Sequence, residues 1–330
     1  MRIAVLGATG LVGRTMLGLL EECAWADGEP LALASARSAG FELPWRGGVV
    51  TCRAVDAGSF AGVDFALFSA GGGPSREWAP VAAKAGAVVI DNSSAWRQDP
   101  AIPLVVPEIN GALVDGMRAG IIANPNCSTI QVAQAVAPLE RAWGLEEVHV
   151  TTFQAVSGAG QKAVAELARQ NAGEVMGAPV FPRAIARNVI PSIGAALDDG
   201  SFEEEAKVLR ELRKILGRDE GLKVTCTAVR VPVVNAHAAA VRVVCRQPVT
   251  PREAAEAMAA WPGLAVAAAP HDYATPREVD GQRNVHVGRL RQDPNDPRAL
   301  LCWVVADNLL KGAAWNAVQI AARIVEGRSR

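Results

Sequence analysis

The residues best suited to chemistry lie in Asn124-Pro125-Asn126-Cys127-Ser128-Thr129-Ile130-Gln131. Ile121 to Ala123 read as a short apolar strand, and Pro125 forbids its continuation as a central strand. From Ser128 through Ile130, Val132, Ala133, Val136 and Ala137 the apolar spacing predicts a helix, with Asn126 or Ser128 as its N-cap. Cys127 then stands at the mouth of a helix, where unpaired N–H groups and the macrodipole favour an anion. Such a placement favours thiolate near neutral pH. The same N–H groups are suited to stabilise an oxyanion on a substrate bonded to the sulfur. A buried packing cysteine is the competing reading. The asparagines, proline and serine around this thiol favour the reactive one.

A nucleophile of this kind needs a proton partner. The chain has only four histidines, and His237 leads among them as general acid/base. It closes Arg230-Val231-Pro232-Val233-Val234-Asn235-Ala236-His237, in which Arg230 and His237 interrupt apolar strand segments where an unpaired charge is costly. A hydrogen-bonded structural histidine is the alternative. Gln154 closes a Val- and Thr-rich strand and suits a carbonyl or carboxylate, while Ser157-Gly158 would admit a nicotinamide ring closely. Glu204 and Lys207 share a helix face, by default as a solvated pair.

These residues require a frame, and the chain begins with one. Arg2 to Leu6 is a short apolar strand, Gly7-Ala8-Thr9-Gly10-Leu11-Val12-Gly13 a glycine-rich turn, and the run to about Trp25 a helix. Strand, glycine turn and helix in that order suit a dinucleotide site, its pyrophosphate held at the helix N-terminus. Ala8 stands where the commonest fingerprint has Gly, and a glycine turn used only for packing is the competing reading. The next strand, Leu31 to Ala34, leads into Ser35-Ala36-Arg37-Ser38. An arginine among serines, where NAD sites usually carry Asp or Glu, suits the 2′-phosphate of NADP. Phe41 to Arg53 reads as turns with a possible edge strand. Asp64 to Ser69 and Ala87 to Asp91 are further strands, with a helix over Ser75 to Ala85 between them. The polar loop ending in Arg97 falls at a strand end, so Arg97 is a candidate phosphate clamp.

Alternating strands and helices from residue 1 to about 123 indicate a doubly wound parallel sheet of Rossmann type. Beyond the Cys127 helix the pattern changes. Glu147 to Gln154 alternates like a half-buried antiparallel strand. Glu203 to Leu216 is an amphipathic helix with Ala206, Leu209, Leu212 and Ile215 along one side. Leu222 to Val231, Val233 to Cys245, Asn284 to Leu290 and Leu300 to Ala306 complete an α+β domain with a mostly antiparallel sheet, whose open face is expected to be apolar. A long helix from Asp307 is expected to pack back on the first domain. The division expected is 1–126 joined by 308–330 as an NADP-binding domain, and 127–307 as a catalytic and dimerisation domain.

Formal net charge is −1 over 330 residues, which gives no electrostatic case for nucleic acid or a membrane surface. The six cysteines are scattered without a C-x-x-C pair, which reads as reduced cytosolic thiols, with no zinc site or other metal. No apolar run approaches membrane-spanning length, and Met1-Arg2-Ile3 enters a strand without room for a signal peptide. A cytoplasmic protein is expected.

GATGLVG, SARSAG, DNSSAWR, NPNCSTIQ, QAVSGAG, EEEAK with RKIL, RVPVVNAH and DNLLKGAAWNAVQIA follow one another in this order. The set closely resembles bacterial aspartate-β-semialdehyde dehydrogenases over essentially the full chain. NPNCSTIQ and DNLLKGAAWNAVQIA are its most specific parts. The resemblance implies NADPH-dependent reductive dephosphorylation of L-aspartyl 4-phosphate to aspartate 4-semialdehyde and phosphate, toward lysine (through diaminopimelate), methionine and threonine. It implies Cys127 as nucleophile, His237 as acid/base, Gln154 orienting the substrate and Arg230 on its α-carboxylate. Glu204 would take the substrate ammonium, Lys207 and Arg97 the phosphate, with Asn126 beside the nucleophile. Gly7, Thr9, Gly10, Leu11, Val12, Gly13, Ser35, Arg37, Ser38, Ser157, Gly158 and Asn308 match cofactor contacts, and a homodimer is implied. One departure stands beside the histidine: Asn-Ala-His-Ala here, where family members often have Asn-Gly-His-Ser.

Two other readings compete. One is another acyl-phosphate reductase, such as an N-acetylglutamyl-phosphate reductase. The other is an NADP-binding redox sensor that uses Cys127 as an oxidisable switch, which would have no need of Arg230, His237 and Lys207.

Overall fold

The computed structural model describes residues 1–174, 178–218 and 220–328. The chain forms two compact units, Met1–Pro125 with Ala313–Arg330, and Asn126–Gly312. In chain order the first contains β1 (Ile3–Leu6), α1 (Leu11–Glu21), β2 (Leu31–Ala34), β3 (Glu42–Trp45), β4 (Gly48–Thr51), β5 (Arg53–Ala54), β6 (Phe65–Phe68), α2 (Gly72–Lys84), β7 (Val88–Asp91), α3 (Pro107–Asn110) and β8 (Gly120–Ala123). Six strands make a parallel sheet in the order β5-β2-β1-β6-β7-β8. The order reverses between β1 and β6, which opens a crevice at their carboxyl ends. Every residue of β1, β6 and β7 is buried. Such strands are covered on both faces and read as continuous apolar runs without alternation. The glycine-bearing stretch after β2 is a hairpin, β3 against β4. Its turn places Arg46 at φ 44° and Gly47 at φ 77°, the two positive values that a tight hairpin turn needs.

The second unit contains α4 (Cys127–Trp143), β9 (Leu145–Gln154), α5 (Gln161–Asn171), α6 (Glu203–Ile215), β10 (Lys223–Arg230), β11 (His237–Cys245), α7 (Pro251–Ala259), β12 (Leu264–Val266), α8 (Pro276–Val279), β13 (Val285–Asp293) and β14 (Asp296–Ala306). Its sheet runs β10-β9-β11-β14-β13-β12. Most pairs are antiparallel, but β9 with β10 and β12 with β13 are parallel. The expectation of antiparallel neighbours for residues 147–154 therefore holds on one side only. Alternation reports that one face is buried and carries no information about partner direction. The exposed face is mixed and not the apolar surface expected: Thr151, Thr225, Thr227, His149 and Arg242 lie beside Ala240, Leu301 and Trp303.

Several features differ from the sequence reading, among them the start of β14 at Asp296 and of α2 at Gly72. The strand expected from Val233 starts at His237, because Ala236 adopts a left-handed conformation, φ 67°. On α6 the buried side is Glu204, Val208, Glu211, Leu212 and Ile215, with Ala206 and Leu209 only partly covered. The helix expected from Asp307 opens as a turn capped by Asp307 Oδ1, which accepts the N–H groups of Leu309 and Leu310. A π-turn, Leu310–Ala314, follows before α9 (Trp315–Arg328). α9 belongs to the first unit and packs against α1, α3 and β7.

Candidate active site

Pro125 ends the strand direction, and Asn126 starts α4 as its N-cap. The Asn126 Oδ1 accepts the N–H groups of Ser128 at 2.9 Å and Thr129 at 3.1 Å. Cys127 is thus the first helical residue, partly exposed, on a turn whose other members are buried. Two carboxylates of α6 hold the cap from behind. Glu204 Oε1 accepts Asn126 Nδ2 at 2.7 Å, and Glu211 Oε2 accepts the Asn126 backbone N–H at 2.6 Å. Glu204 Oε1 also accepts Gln154 Nε2 at 3.1 Å, while Lys207 Nζ stands 3.6 Å from Glu204 Oε2. Glu204 is buried, so this pair is not the solvated one that helix spacing alone suggests.

His237 opens β11 and is fully buried. The Ala155 backbone N–H donates to its Nδ1 at 3.0 Å, which assigns the ring proton to Nε2. That Nε2–H has no hydrogen-bond partner among the described residues. Burial first, and then the charge of Arg230, hold the imidazole well below its usual pKa, against a smaller opposing effect of the Ala236 backbone. The ring is therefore a neutral donor. Arg230 ends β10 and gives Nη1 to the Ala155 carbonyl at 2.7 Å, so one residue's backbone fixes both groups. Burial lowers the Arg230 pKa, and the Cys127 and Glu204 charges raise it in opposition. A Cβ at Gly158 would lie 3.0 Å from His237 Nε2 and 3.1 Å from Arg230 Nη1, so glycine keeps the approach to both open. Ser157 and Asn308 are joined by Asn308 Nδ2 donating to Ser157 Oγ at 2.9 Å. Behind Cys127 the backbone at Gly312 is close: a Cβ there would meet Cys127 Cβ at 2.9 Å.

In the first unit the glycine turn is shaped by contact. A Cβ at Gly7 would stand 2.3 Å from the Ser69 carbonyl oxygen, and one at Gly13 would stand 2.2 Å from the Gly7 carbonyl oxygen. Gly10 is the N-cap of α1 and no side chain caps that helix, so the first-turn amides around Leu11 and Val12 remain for an anion. These residues fit a dinucleotide pyrophosphate. Thr9 lies in the same turn. Ser35, Arg37 and Ser38 follow β2, the strand beside β1, with Arg37 exposed. Arg97 is buried and gives Nη2 to the Asn92 carbonyl at 2.7 Å.

Two family models match. "Semialdehyde dehydrogenase, NAD binding domain" covers residues 2–116 and "Semialdehyde dehydrogenase, dimerisation domain" covers 136–311. Aspartate-semialdehyde dehydrogenase of Aquifex aeolicus is 47% identical over 334 residues, covering 98% of each chain. Aspartate-semialdehyde dehydrogenase 2 of Vibrio cholerae is 44% identical, covering 98% of this chain and 97% of that one. The crystal structure of the Vibrio cholerae aspartate semialdehyde dehydrogenase II complexed with ASA superimposes with a TM-score of 0.93 at 42% identity, covering 98% of both chains. The chain belongs to the aspartate-semialdehyde dehydrogenase family.

For a member of this family, the residues singled out from sequence divide between the units. Gly7 to Gly13, Ser35, Arg37, Ser38 and Arg97 lie in the first; Asn126, Cys127, Gln154, Ser157, Gly158, Glu204, Lys207, Arg230, His237 and Asn308 lie in the second. Within the second, hydrogen bonds or an ion pair join Asn126, Gln154, Glu204 and Lys207. Sequence reasoning missed Ala155, Glu211 and Gly312. Only Glu211 left a signal: it falls seven residues after Glu204, on the stripe of Val208, Leu212 and Ile215. Among the described residues there is no cluster of His, Cys, Asp and Glu able to hold a metal, and no helix is long and apolar enough to cross a membrane.

Proposed function

We propose that this chain catalyses the NADPH-dependent reductive dephosphorylation of L-aspartyl 4-phosphate to L-aspartate 4-semialdehyde. The observation that carries the reading is a cysteine at the first position of α4 in the same unit as a neutral, buried histidine whose Nε2–H is unpartnered. The Cys127 sulfur bonds to the acyl carbon as the carbon–oxygen bond to phosphate breaks, leaving a thioester and free phosphate. Bound NADPH supplies hydride to that carbon. The His237 Nε2–H steadies the resulting oxyanion by a hydrogen bond, and the carbonyl re-forms as the carbon–sulfur bond breaks and returns Cys127 as thiolate. The Ser128 and Thr129 N–H groups that the helix start would offer are taken by the Asn126 side chain, which leaves this oxygen to the His237 Nε2–H.

In this reading Gln154 orients the substrate, Arg230 takes its α-carboxylate and Glu204 its ammonium. Asn126 holds the turn, and Lys207 with Arg97 takes the phosphate. The unit Met1–Pro125 with Ala313–Arg330, in place of the 1–126 and 308–330 read from sequence, is the NADP-binding domain, and Asn126–Gly312 the catalytic and dimerisation domain of a cytoplasmic homodimer. Gly7, Thr9 to Gly13, Ser35, Arg37 and Ser38 cradle the dinucleotide, with Ser157, Gly158 and Asn308 at its nicotinamide end.

The assay is NADPH formation from aspartate semialdehyde and NADP with phosphate varied. Phosphate-dependent turnover is expected. No turnover, or turnover only with N-acetylglutamate semialdehyde, would overturn the reading.

A further inference from the structure

We infer that Glu211 is a positioning residue for the nucleophile. Its carboxylate is fully buried and accepts the Asn126 backbone N–H at 2.6 Å, one peptide before Cys127. Through Asn126, α6 reaches the nucleophile's turn by two routes: the backbone N–H goes to Glu211 and the side-chain Nδ2 goes to Glu204 at 2.7 Å. The side-chain oxygen is left to cap Ser128 and Thr129. A side-chain rotor held only by Glu204 would still let the peptide between Pro125 and Asn126 swing. Holding the N–H as well fixes that peptide plane, and with it the direction in which Cys127 leaves the cap. The division of labour follows from sequence position. Glu204 also faces Gln154 and Lys207, so it is engaged with groups assigned to substrate. Glu211 stands two helical turns further along the same buried face.

This inference rests on Cys127 being the nucleophile of the proposed reaction, so its test includes a measurement that needs no substrate. Glu211→Gln keeps an acceptor oxygen at the same reach and drops the charge. Glu211→Asp withdraws the acceptor by one methylene and keeps the charge. Arg230, whose charge acts on Cys127, is unchanged in both variants, as are Glu204 and Lys207. Two quantities are read for each variant: kcat and the KM values for NADP and semialdehyde, and the rate of iodoacetamide capture at Cys127 followed by peptide mass spectrometry at fixed pH.

For Glu211→Asp the expected result is a kcat loss of about ten- to a hundredfold with the KM for NADP within about twofold, and slower capture of Cys127. For Glu211→Gln both quantities should return to within about threefold of the wild type. That rescue separates a bond to the Asn126 amide from a generic need for charge. Equal damage in both variants would overturn the inference, as would wild-type kcat and capture rate in Glu211→Asp. An inactive wild type with normal Glu211-dependent capture would instead defeat the proposed reaction and leave the positioning role standing.

Discussion

The backbone N–H of Ala155 points at Nδ1 of His237 from 3.0 Å, and this one bond decides what the histidine can do. An imidazole whose Nδ1 accepts must carry its proton on Nε2 when neutral. Neutral His237 therefore offers a hydrogen-bond donor at Nε2, while its basic nitrogen is already engaged.

Stability should carry the mark of this histidine. Its folded pKa lies well below the usual imidazole value, through burial and Arg230. Above about pH 6.5 both folded and unfolded rings are neutral and the group costs nothing. As pH falls below that value the unfolded ring takes a proton that the folded ring refuses, so stability is lost by up to about 1.4 kcal/mol per pH unit. Urea midpoints at pH 7.5 and 5.5 should fall further apart in the wild type than in His237→Gln. Identical pH dependence in the two proteins would show that the ring is not held neutral.

Thiol chemistry should single out Cys127. Burial pushes Cys226 and Cys302 up to about 12 and Cys245 up to about 11, and Cys52 is raised as well. Iodoacetamide at pH 7.5 is expected to leave these four unmodified while labelling Cys127 and abolishing turnover. Cys127→Ala should lose turnover and keep NADPH binding. Detection of the acyl adduct on a different cysteine would reassign the nucleophile.

Ala236 occupies a left-handed conformation, φ 67°, with its methyl group fully buried one residue before His237. Left-handed backbone disfavours any residue with a Cβ by about 1 kcal/mol or more. Ala236→Gly should accordingly raise stability by about 0.5–1 kcal/mol, read from denaturant midpoints. A lowered midpoint would mean that the methyl group's packing outweighs the backbone strain.

Cofactor preference should turn on Arg37, which is exposed just after β2. Arg37→Asp is expected to weaken NADPH by about 1–3 kcal/mol and NADH much less, the size of one lost charge-assisted contact. Fluorescence titration with both dinucleotides measures it. Equal weakening would place the 2′-phosphate elsewhere.

Arg230 and Lys207 should separate in kinetics of the oxidative direction. Arg230 is buried and held by the Ala155 carbonyl, a rigid fork for a planar carboxylate. Lys207 is partly exposed near Glu204, a mobile charge for an anion that comes and goes. Lys207→Ala should raise the KM for phosphate about ten- to a hundredfold and change that for semialdehyde far less. Arg230→Lys should damage the semialdehyde side. The reverse pattern would exchange the two roles.

The glycine turn, Cys127 and His237 were legible because their signals are local: a strand followed by glycines and a helix, a proline before a cap, and a histidine in an apolar run. Direction of strand pairing was not, because β9 alternates in the same way whether β10 lies parallel or antiparallel to it. The burial of Glu204 and Glu211 was equally hidden. A carboxylate on a helix reads as solvent-facing until the amides that satisfy it are found, and here they come from Asn126 and Gln154, far away in the chain. The left-handed backbone before His237 had no glycine to announce it.

The return of α9 to the first unit closes that unit with a segment remote in sequence. Asn124 Nδ2 donates to Asn92 Oδ1 at 2.7 Å, and Asn124 Oδ1 in turn accepts Asn316 Nδ2, which also donates to the Val105 carbonyl. Asn316 lies in the segment Ala313–Arg330, separated from Asn124 by the whole of the second unit. Residues 1–125 can lay down every strand of the parallel sheet and still lack the side chain that joins Asn124 to Val105. Folding of this unit must therefore close a loop as long as its neighbour, a non-local step that slows folding more than it weakens the folded state.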